Sequence, residues 1–133
     1  MRKAQGFTVV EVILVIVVLV AAGLIFWHEK SVVDAKNRDL TRKTAINAIA
    51  YSLDNVYHVK HGYYPDSLND KTFMVIDPAI MRDPRGHAVG DKDSDYRYEP
   101  TNCAGGQCQG YSLRAQLEYE ADYVKSSDDH ASD

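Results

Sequence analysis

The first part of the chain is an almost unbroken apolar stretch, and the remainder mixes polar and apolar positions. From Phe7 to Trp27 only Thr8, Glu11 and Gly23 interrupt the apolar residues. As a helix rising about 1.5 Å per residue, this stretch would extend about 31 Å, enough to cross the hydrocarbon core of a bilayer. The pattern therefore predicts a membrane-spanning helix.

The helical pattern continues beyond the apolar stretch. No proline or glycine occurs between Glu29 and Lys60, and apolar residues recur there at helical spacing. Gly62 and then Pro65 supply the glycine stop and the following proline that are typical of a helix end. We predict an amphipathic continuation over residues 28–61 that packs one face on a small head through Ile46, Ile49, Ala50, Leu53, Val56 and Tyr57.

The head is predicted to end in an antiparallel hairpin. Apolar and polar residues alternate from Tyr111 to Tyr119 and from Tyr96 to Glu99, which is the period of a half-buried strand. Gly105-Gly106 lies between the two segments as a turn signal. Thr72–Ile76 fits either a short strand or a helical turn, and the polar residues after Lys125 are expected to be disordered.

These elements place the chain in the α+β class, with a long N-terminal helix packed on a small head that carries an antiparallel β-hairpin or sheet. The predicted segments are an apolar helix over residues 7–27, its continuation over 28–61, a head over 62–125 and a tail over 126–133.

Composition argues against two broad functions. From His28 onward there are 18 acidic and 13 basic side chains, a net charge of −5. A protein that binds nucleic acid through bulk charge needs a basic surface, so that function has no support. No nucleophile elbow, phosphate-binding glycine loop or His-Glu-x-x-His motif is present, and we expect no enzymatic activity.

The start of the apolar stretch carries a short motif. Gly6-Phe7-Thr8-Val9-Val10-Glu11, with Arg2 and Lys3 before it, resembles the class III signal of type IV pilins and type II secretion pseudopilins. The resemblance implies that residues 1–6 are a prepilin leader, that a prepilin peptidase cuts after Gly6, and that Phe7 becomes a methylated amino terminus. It also implies that Glu11 faces the terminal amine of a neighbouring subunit during assembly.

The same resemblance implies a structural function. The chain would be a subunit of a type IV pilus-like filament, assembled through its N-terminal helix with copies of itself and with other pilins. An assembly ATPase and a platform membrane protein are the further implied partners. The precursor would span the cytoplasmic (inner) membrane once, with Arg2 and Lys3 inside and the head outside. The filament would be periplasmic or extracellular.

Alternatives stay open at this point. The filament could be a type II secretion pseudopilus or a DNA-uptake pilus. From a different class, the chain could be a membrane-anchored or secreted ligand-binding domain, cut at a secretory site such as Val20-Ala21-Ala22 or left uncut. Neither the secretory signal nor the plain anchor accounts for Glu11, because a carboxylate in hydrocarbon costs about 2.5–3.5 kcal/mol.

Features of the head and helix bear on the kind of filament. Gly62-Tyr63-Tyr64-Pro65 resembles the turn that follows the long helix in major pseudopilins. A disulfide-closed loop near the carboxy terminus is instead typical of many type IV pilins. Major pilins commonly carry a helix-bending proline near the end of the apolar stretch, and here that part reads Ile25-Phe26-Trp27-His28-Glu29 without one.

The two cysteines are expected to pair. Cys103 and Cys108 lie on either side of the predicted turn, in a segment predicted to be outside the cytoplasm, where disulfides form and persist. Two free thiols are the alternative. The spacing does not match the Cys-x-x-Cys of redox enzymes.

Two side-chain clusters are candidates for metal binding. Asp91, Asp93 and Asp95 alternate along the chain, as the first ligands of a calcium loop do, although Tyr96 stands where that loop has glycine. The alternative is a solvated acidic turn. His58 and His61 share a helix face, but a zinc site would need further ligands that the neighbouring sequence does not supply.

Overall fold

The computed structural model describes residues 6–69 and 77–130. The chain divides into two compact units, Met1–Ala35 and Lys36–Asp133, which we call the N-terminal unit and the head unit. The elements in chain order are helix α1 (Val9–Ser52), a π-helix (Leu53–His58), a short helix α2 (Val59–His61), strands β1 (Tyr64–Pro65), β2 (Tyr96–Ala104), β3 (Gln107–Ala115) and β4 (Tyr123–Ser126), and a 3-10 helix (Ser127–His130).

The α+β class is confirmed, and the long helix covers nearly the predicted range. It runs without interruption from Val9 to His61 when its three successive parts are taken together, and it is long and apolar enough to cross a membrane. Gly62 ends it with φ at +78°, the left-handed conformation that glycine adopts without strain. The change to π geometry at Leu53–His58 has no counterpart in the apolar pattern.

The sheet has four antiparallel strands built around β3. β2 pairs with β3 along its length, and the turn between them consists of Gly105 and Gly106, both with positive φ as a tight hairpin turn requires. On the other edge of β3, β1 pairs at its start and β4 pairs near its end. The hairpin is therefore where the sequence predicts it, whereas β1 and β4 were not predicted.

Strand β3 ends earlier than the alternating pattern predicts. It stops at Ala115, although apolar and polar residues alternate up to Tyr119. The backbone N–H groups beyond this point are bound elsewhere: Gln116 donates to the carbonyl of Asp95 at 2.9 Å, and Glu118 and Tyr119 donate to the carboxylate of Asp39. The Asp95 carbonyl and the Asp39 carboxylate replace the backbone hydrogen bonds of a neighbouring strand. The apolar–polar alternation therefore continues beyond the end of β3.

The segment after Lys125 also differs from the prediction of a disordered tail. Ser126 ends β4, and Ser127–His130 form a 3-10 turn. The backbone N–H of Tyr111 donates to the Ser127 hydroxyl at 3.3 Å. Gly110 leaves room for this contact, because a Cβ there would lie 2.8 Å from the Ser127 oxygen. The prediction for Thr72–Ile76 and those for the leader residues 1–5 and for 131–133 lie outside the described residues.

The hydrophobic core of the head unit joins one face of the helix to the sheet. Ile46, Ile49 and Leu53 are fully buried at the spacing that the sequence predicts, whereas Val56 is exposed and Tyr57 is half-buried. They share this core with residues of the sheet and of the loop before it: Tyr64, Met81, Val89, Tyr96, Cys108, Tyr111, Leu113, Ala115 and Leu117.

The π-helix places a carboxylate between two core tyrosines. Asp54 accepts hydrogen bonds from the hydroxyls of Tyr64 and Tyr111, each at 3.0 Å. The two rings meet edge to face with centroids 4.9 Å apart. Burial, followed by the bond to Asp54, raises the pKa of Tyr64 to about 12, and burial together with the Asp54 charge raises the pKa of Tyr111. Both hydroxyls therefore stay protonated and act as donors.

A buried arginine connects the helix to two other parts of the head unit. Arg42 is 3% exposed. Its guanidinium donates to Asp39 at 2.8 Å, to Asp95 at 2.8 Å and to Glu118 at 2.9 Å. Burial works to lower the pKa of Arg42, but its hydrogen bonds to Glu118 and Asp95 outweigh this and raise it. The arginine therefore remains charged among three carboxylates.

The carboxylates around Arg42 are also held from outside the cluster. Asp95 pairs with Arg85 as well, and its backbone N–H donates to Asp83 at 2.9 Å. Burial works to raise the pKa of Asp83, but three backbone N–H donors outweigh it and lower that pKa. Glu118 accepts from both Arg38 and Arg42, and these bonds lower its pKa to about 2.

We predict that the head unit loses stability in acid through Glu118. Its pKa is lower in the folded chain than in the unfolded chain, so its contribution is complete above about pH 4.5 and is lost as the pH falls toward 2. Urea unfolding of the detergent-solubilised chain between pH 7 and pH 2.5 measures this. Glu118→Gln should flatten the decline, and Glu99→Gln, in an exposed pair with Arg114, should not. Equal pH profiles for wild type and Glu118→Gln would contradict the assignment.

Candidate functional site

The start of the apolar helix forms a reciprocal cap. The backbone N–H and the hydroxyl of Thr8 donate to Glu11 Oε2 at 3.0 and 3.2 Å, and the Glu11 N–H donates to the Thr8 hydroxyl at 3.4 Å. This is the capping-box arrangement, in which each residue satisfies a donor that a helix start leaves unpaired. Glu11 is therefore fixed at the first turn of α1.

Gly6 and Phe7 lie just before this cap. Gly6, Phe7 and Thr8 have no helical structure, and α1 begins at Val9. Phe7 is 82% exposed, and a Cβ added at Gly6 would meet no other atom within 4 Å. The predicted cleavage bond is thus in exposed, non-helical backbone, and Gly6 lies five residues before Glu11.

The apolar part of α1 is exposed along its whole length in this chain. Every residue from Gly6 to Ser31 is exposed, including the large side chains Phe26 and Trp27. Apolar surface of this extent has to be covered by lipid or by other protein chains. Glu11 lies in the same exposed stretch, and its hydrogen-bond donors in the cap are neutral.

The chemistry available at this site is ionic pairing. Glu11 accepts from an amide and a hydroxyl, which satisfies hydrogen bonding but does not neutralise a charge. A carboxylate in hydrocarbon is tolerated when a cation pairs with it. Of the residues brought together here, Thr8 was not singled out from the sequence, although Thr8-x-x-Glu11 has the spacing that marks a capping box.

The predicted disulfide is present. Cys103 and Cys108 are directly opposite each other in the β2–β3 register and are bonded. Cys108 is fully buried in the core, and β1 pairs with it through Tyr64. The bond therefore closes the tip of the hairpin at the point where the first strand joins the sheet.

The aspartates proposed for calcium do not converge. Asp91 accepts the backbone N–H of Ala88 at 3.0 Å, and Asp95 turns inward, where both carboxylate oxygens bind the arginines Arg42 and Arg85. Calcium would need those oxygens free. Within residues 6–69 and 77–130, no group of three or more His, Cys, Asp or Glu side chains is placed to hold a metal ion.

The two histidines at the helix end are engaged in aromatic packing. The His58 ring stacks on Tyr64 with centroids 4.6 Å apart, and the His61 ring lies 4.3 Å from that of Tyr57. His61 Nδ1 is also 3.0 Å from the carbonyl of Tyr57. The two side chains complete the helix end and do not meet as a ligand pair.

We predict that the disulfide contributes about 2 kcal/mol to the stability of the head unit, the value expected for closing so short a loop. Reductant should lower the unfolding free energy of the wild-type chain in urea by about that amount. The double variant Cys103→Ala/Cys108→Ala is the control and should not respond. A wild-type chain that unfolds identically with and without reductant would contradict this prediction.

Comparison with known proteins found no match for this chain. No family model, no curated protein and no solved structure matches the chain.

Proposed function

We propose that this chain is a structural subunit of a type IV pilus-like filament. In this proposal a prepilin peptidase cuts the precursor after Gly6, and the chain then assembles through its N-terminal helix. The observation that carries it is the Glu11 carboxylate, fixed at the first turn of a helix whose apolar side chains are all exposed as far as Trp27. A type II secretion pseudopilus remains within the same proposal, because both use this signal.

The exposed apolar surface of α1 supports assembly with other copies. A bilayer can cover it in the precursor, and the helices of neighbouring subunits can cover it in a filament. Exchange of lipid for helix contacts gives little net hydrophobic drive, because both surroundings are apolar. Extraction of the helix from the bilayer therefore needs an energy source. We assign this function to an assembly ATPase and a platform membrane protein.

Glu11 supports a defined register between subunits. Cleavage after Gly6 would create a free amine at Phe7, and the same group on a neighbouring chain is a cation of the right charge to pair with Glu11. An unpaired carboxylate in an apolar bundle is costly, so pairing favours the relative position in which carboxylate and amine meet. A secreted or simply anchored ligand-binding domain has no use for this charge.

We predict that the protein recovered from its native membrane begins at methylated Phe7. Amino-terminal sequencing and intact mass measure this directly. Gly6→Leu should leave the full precursor uncut, since a side chain at the cleavage position blocks the peptidase that the proposal requires. A mature chain that begins at Gly23 would identify a secretory signal instead and would overturn the filament proposal.

We predict that Glu11→Ala and Glu11→Gln both enter the membrane normally but form few or no filaments. Glutamine keeps an oxygen for the Thr8 cap and removes only the charge, so the pair separates capping from ionic pairing. Membrane fractionation and electron microscopy of sheared filaments measure the two steps. Filaments at the wild-type level in Glu11→Gln would show that the charge has no role in assembly.

A further inference from the structure

The two cysteines of the disulfide differ in exposure. Cys103 is exposed at the hairpin tip, whereas Cys108 is 0% exposed and belongs to the hydrophobic core of the head unit. In thiol–disulfide exchange the attacking sulfur has to reach the sulfur that it attacks, so access decides which of the two is used. A molecule from outside the folded chain can therefore react at Cys103 and not at Cys108.

The burial of Cys108 does not depend on the bond between the two sulfurs. The backbones of β2 and β3 are paired on both sides of the disulfide. On the other edge of β3, Tyr64 of β1 is paired with Cys108 and is itself a core residue. A free cysteine packs as a small apolar side chain. We therefore expect Cys108 to stay buried when the two cysteines are reduced.

The hairpin tip leaves Cys103 open to an approaching molecule. Every residue from 102 to 107 is exposed, and none of them carries a charge. Ala104, Gly105 and Gly106 are small, so they do not obstruct a partner that approaches the tip. A small-molecule disulfide and the active site of a redox protein can both reach a sulfur in this position.

The hairpin also holds Cys108 ready to react with Cys103. The turn of Gly105 and Gly106 sets the register in which the two cysteines are directly opposite each other. A group held in place beside its reaction partner acts at a high effective concentration. Attack by Cys108 on a modified Cys103 should therefore be faster than attack by a thiol from solution.

We propose that Cys103 is the site at which the head unit exchanges with an external disulfide, and that Cys108 is the resolving thiol. The Cys103 thiolate attacks one sulfur of the external disulfide, and the other sulfur leaves as a thiolate. The Cys108 thiol then loses its proton and attacks Cys103 Sγ, which breaks the mixed disulfide and releases the second external thiolate. Two electrons pass to the external disulfide, and its two thiolates take up the two protons that the cysteines lose.

The same asymmetry protects the finished bond. A thiol that attacks the disulfide at Cys103 releases Cys108 as a thiolate directly opposite the mixed disulfide, where it can attack and restore the bond. Lasting reduction therefore needs a second thiol that removes the first before Cys108 does, as a dithiol can. This inference concerns the head unit alone and does not rest on the proposed filament function.

Single-cysteine variants of the full chain in detergent test the assignment, with glutathione disulfide as the probe. Cys108→Ala retains Cys103, and Cys103→Ala retains Cys108, so each variant is the control for the other. We expect the glutathione adduct, read from the intact mass, to form at least about tenfold faster in Cys108→Ala, because a buried thiol reacts only through local opening. In urea that unfolds both variants, the two rates should become similar. Equal rates in the folded variants would overturn the proposal.

The wild-type chain gives a second measurement that needs no substitution. It is reduced with a phosphine, freed of the phosphine and treated briefly with iodoacetamide without denaturant, and peptide masses show which cysteine is alkylated. Near-UV circular dichroism checks that Tyr64 and Tyr111 keep their packing in the reduced chain. We expect singly alkylated chains to carry the label on Cys103. Alkylation first at Cys108, or equally at both cysteines, would overturn the proposal even if a single-cysteine variant fails to fold.

Two oxidants distinguish the source of the external disulfide. The reduced wild-type chain is mixed either with glutathione disulfide or with a purified oxidoreductase whose Cys-x-x-Cys site is oxidised, at equal disulfide concentration. Faster return of the Cys103–Cys108 bond with the oxidoreductase would assign the site to a protein partner, and faster return with glutathione disulfide would assign it to a small molecule. If Cys103 accumulates a lasting glutathione adduct and the bond does not return, Cys108 is not the resolving thiol and the proposal is wrong.

Discussion

The buried guanidinium of Arg42 is the group on which the arrangement of the head unit depends. It binds one carboxylate on its own helix, one at the start of β2 and one beyond the end of β3. Asp39 also accepts the backbone N–H groups of Glu118 and Tyr119, so the cluster determines where β3 stops and where the chain leaves the sheet. At this depth a carboxylate without its arginine, or the arginine without its carboxylates, would be a buried unpaired charge, which costs several kcal/mol. The helix, the loop before the sheet and the segment after it are therefore positioned together.

The apolar part of this fold could be predicted from the sequence, and the polar part could not. Ile46, Ile49 and Leu53 follow helical spacing and are buried as expected, and Gly105-Gly106 marks the hairpin turn. Arg42 does not stand out in the sequence, because periodicity assigns charged residues to the solvent face. Its partners Asp95 and Glu118 are 53 and 76 residues away in the chain, and no local pattern connects them. The same reason explains why Asp95 was assigned to a candidate calcium loop.

In the N-terminal candidate site, too, one feature could be predicted from the sequence and another could not. Glu11 could be singled out from the sequence because a carboxylate in an apolar stretch conflicts with its surroundings. Its contact with Thr8 depends on where the helix starts, and the start moves from the predicted Phe7 to Val9 because the cap forms there. The cap adds something the sequence alone did not: it holds the charge in one orientation before any partner is present. Preorganisation of this kind reduces the freedom that must be lost when a partner cation binds.

The N-terminal unit and the head unit therefore differ in how they could fix the register between subunits. Around the N-terminal unit the surroundings are apolar whether lipid or protein covers it, so apolar contact alone cannot distinguish one register from another. Discrimination has to come from polar groups, and the N-terminal unit offers Glu11 for this. In the head unit the carboxylates around Arg42 are already paired within the chain, and they cannot contribute to contacts between subunits without breaking those pairs. In the proposed filament, register would then depend on Glu11, the one charge that the described part of the apolar stretch carries.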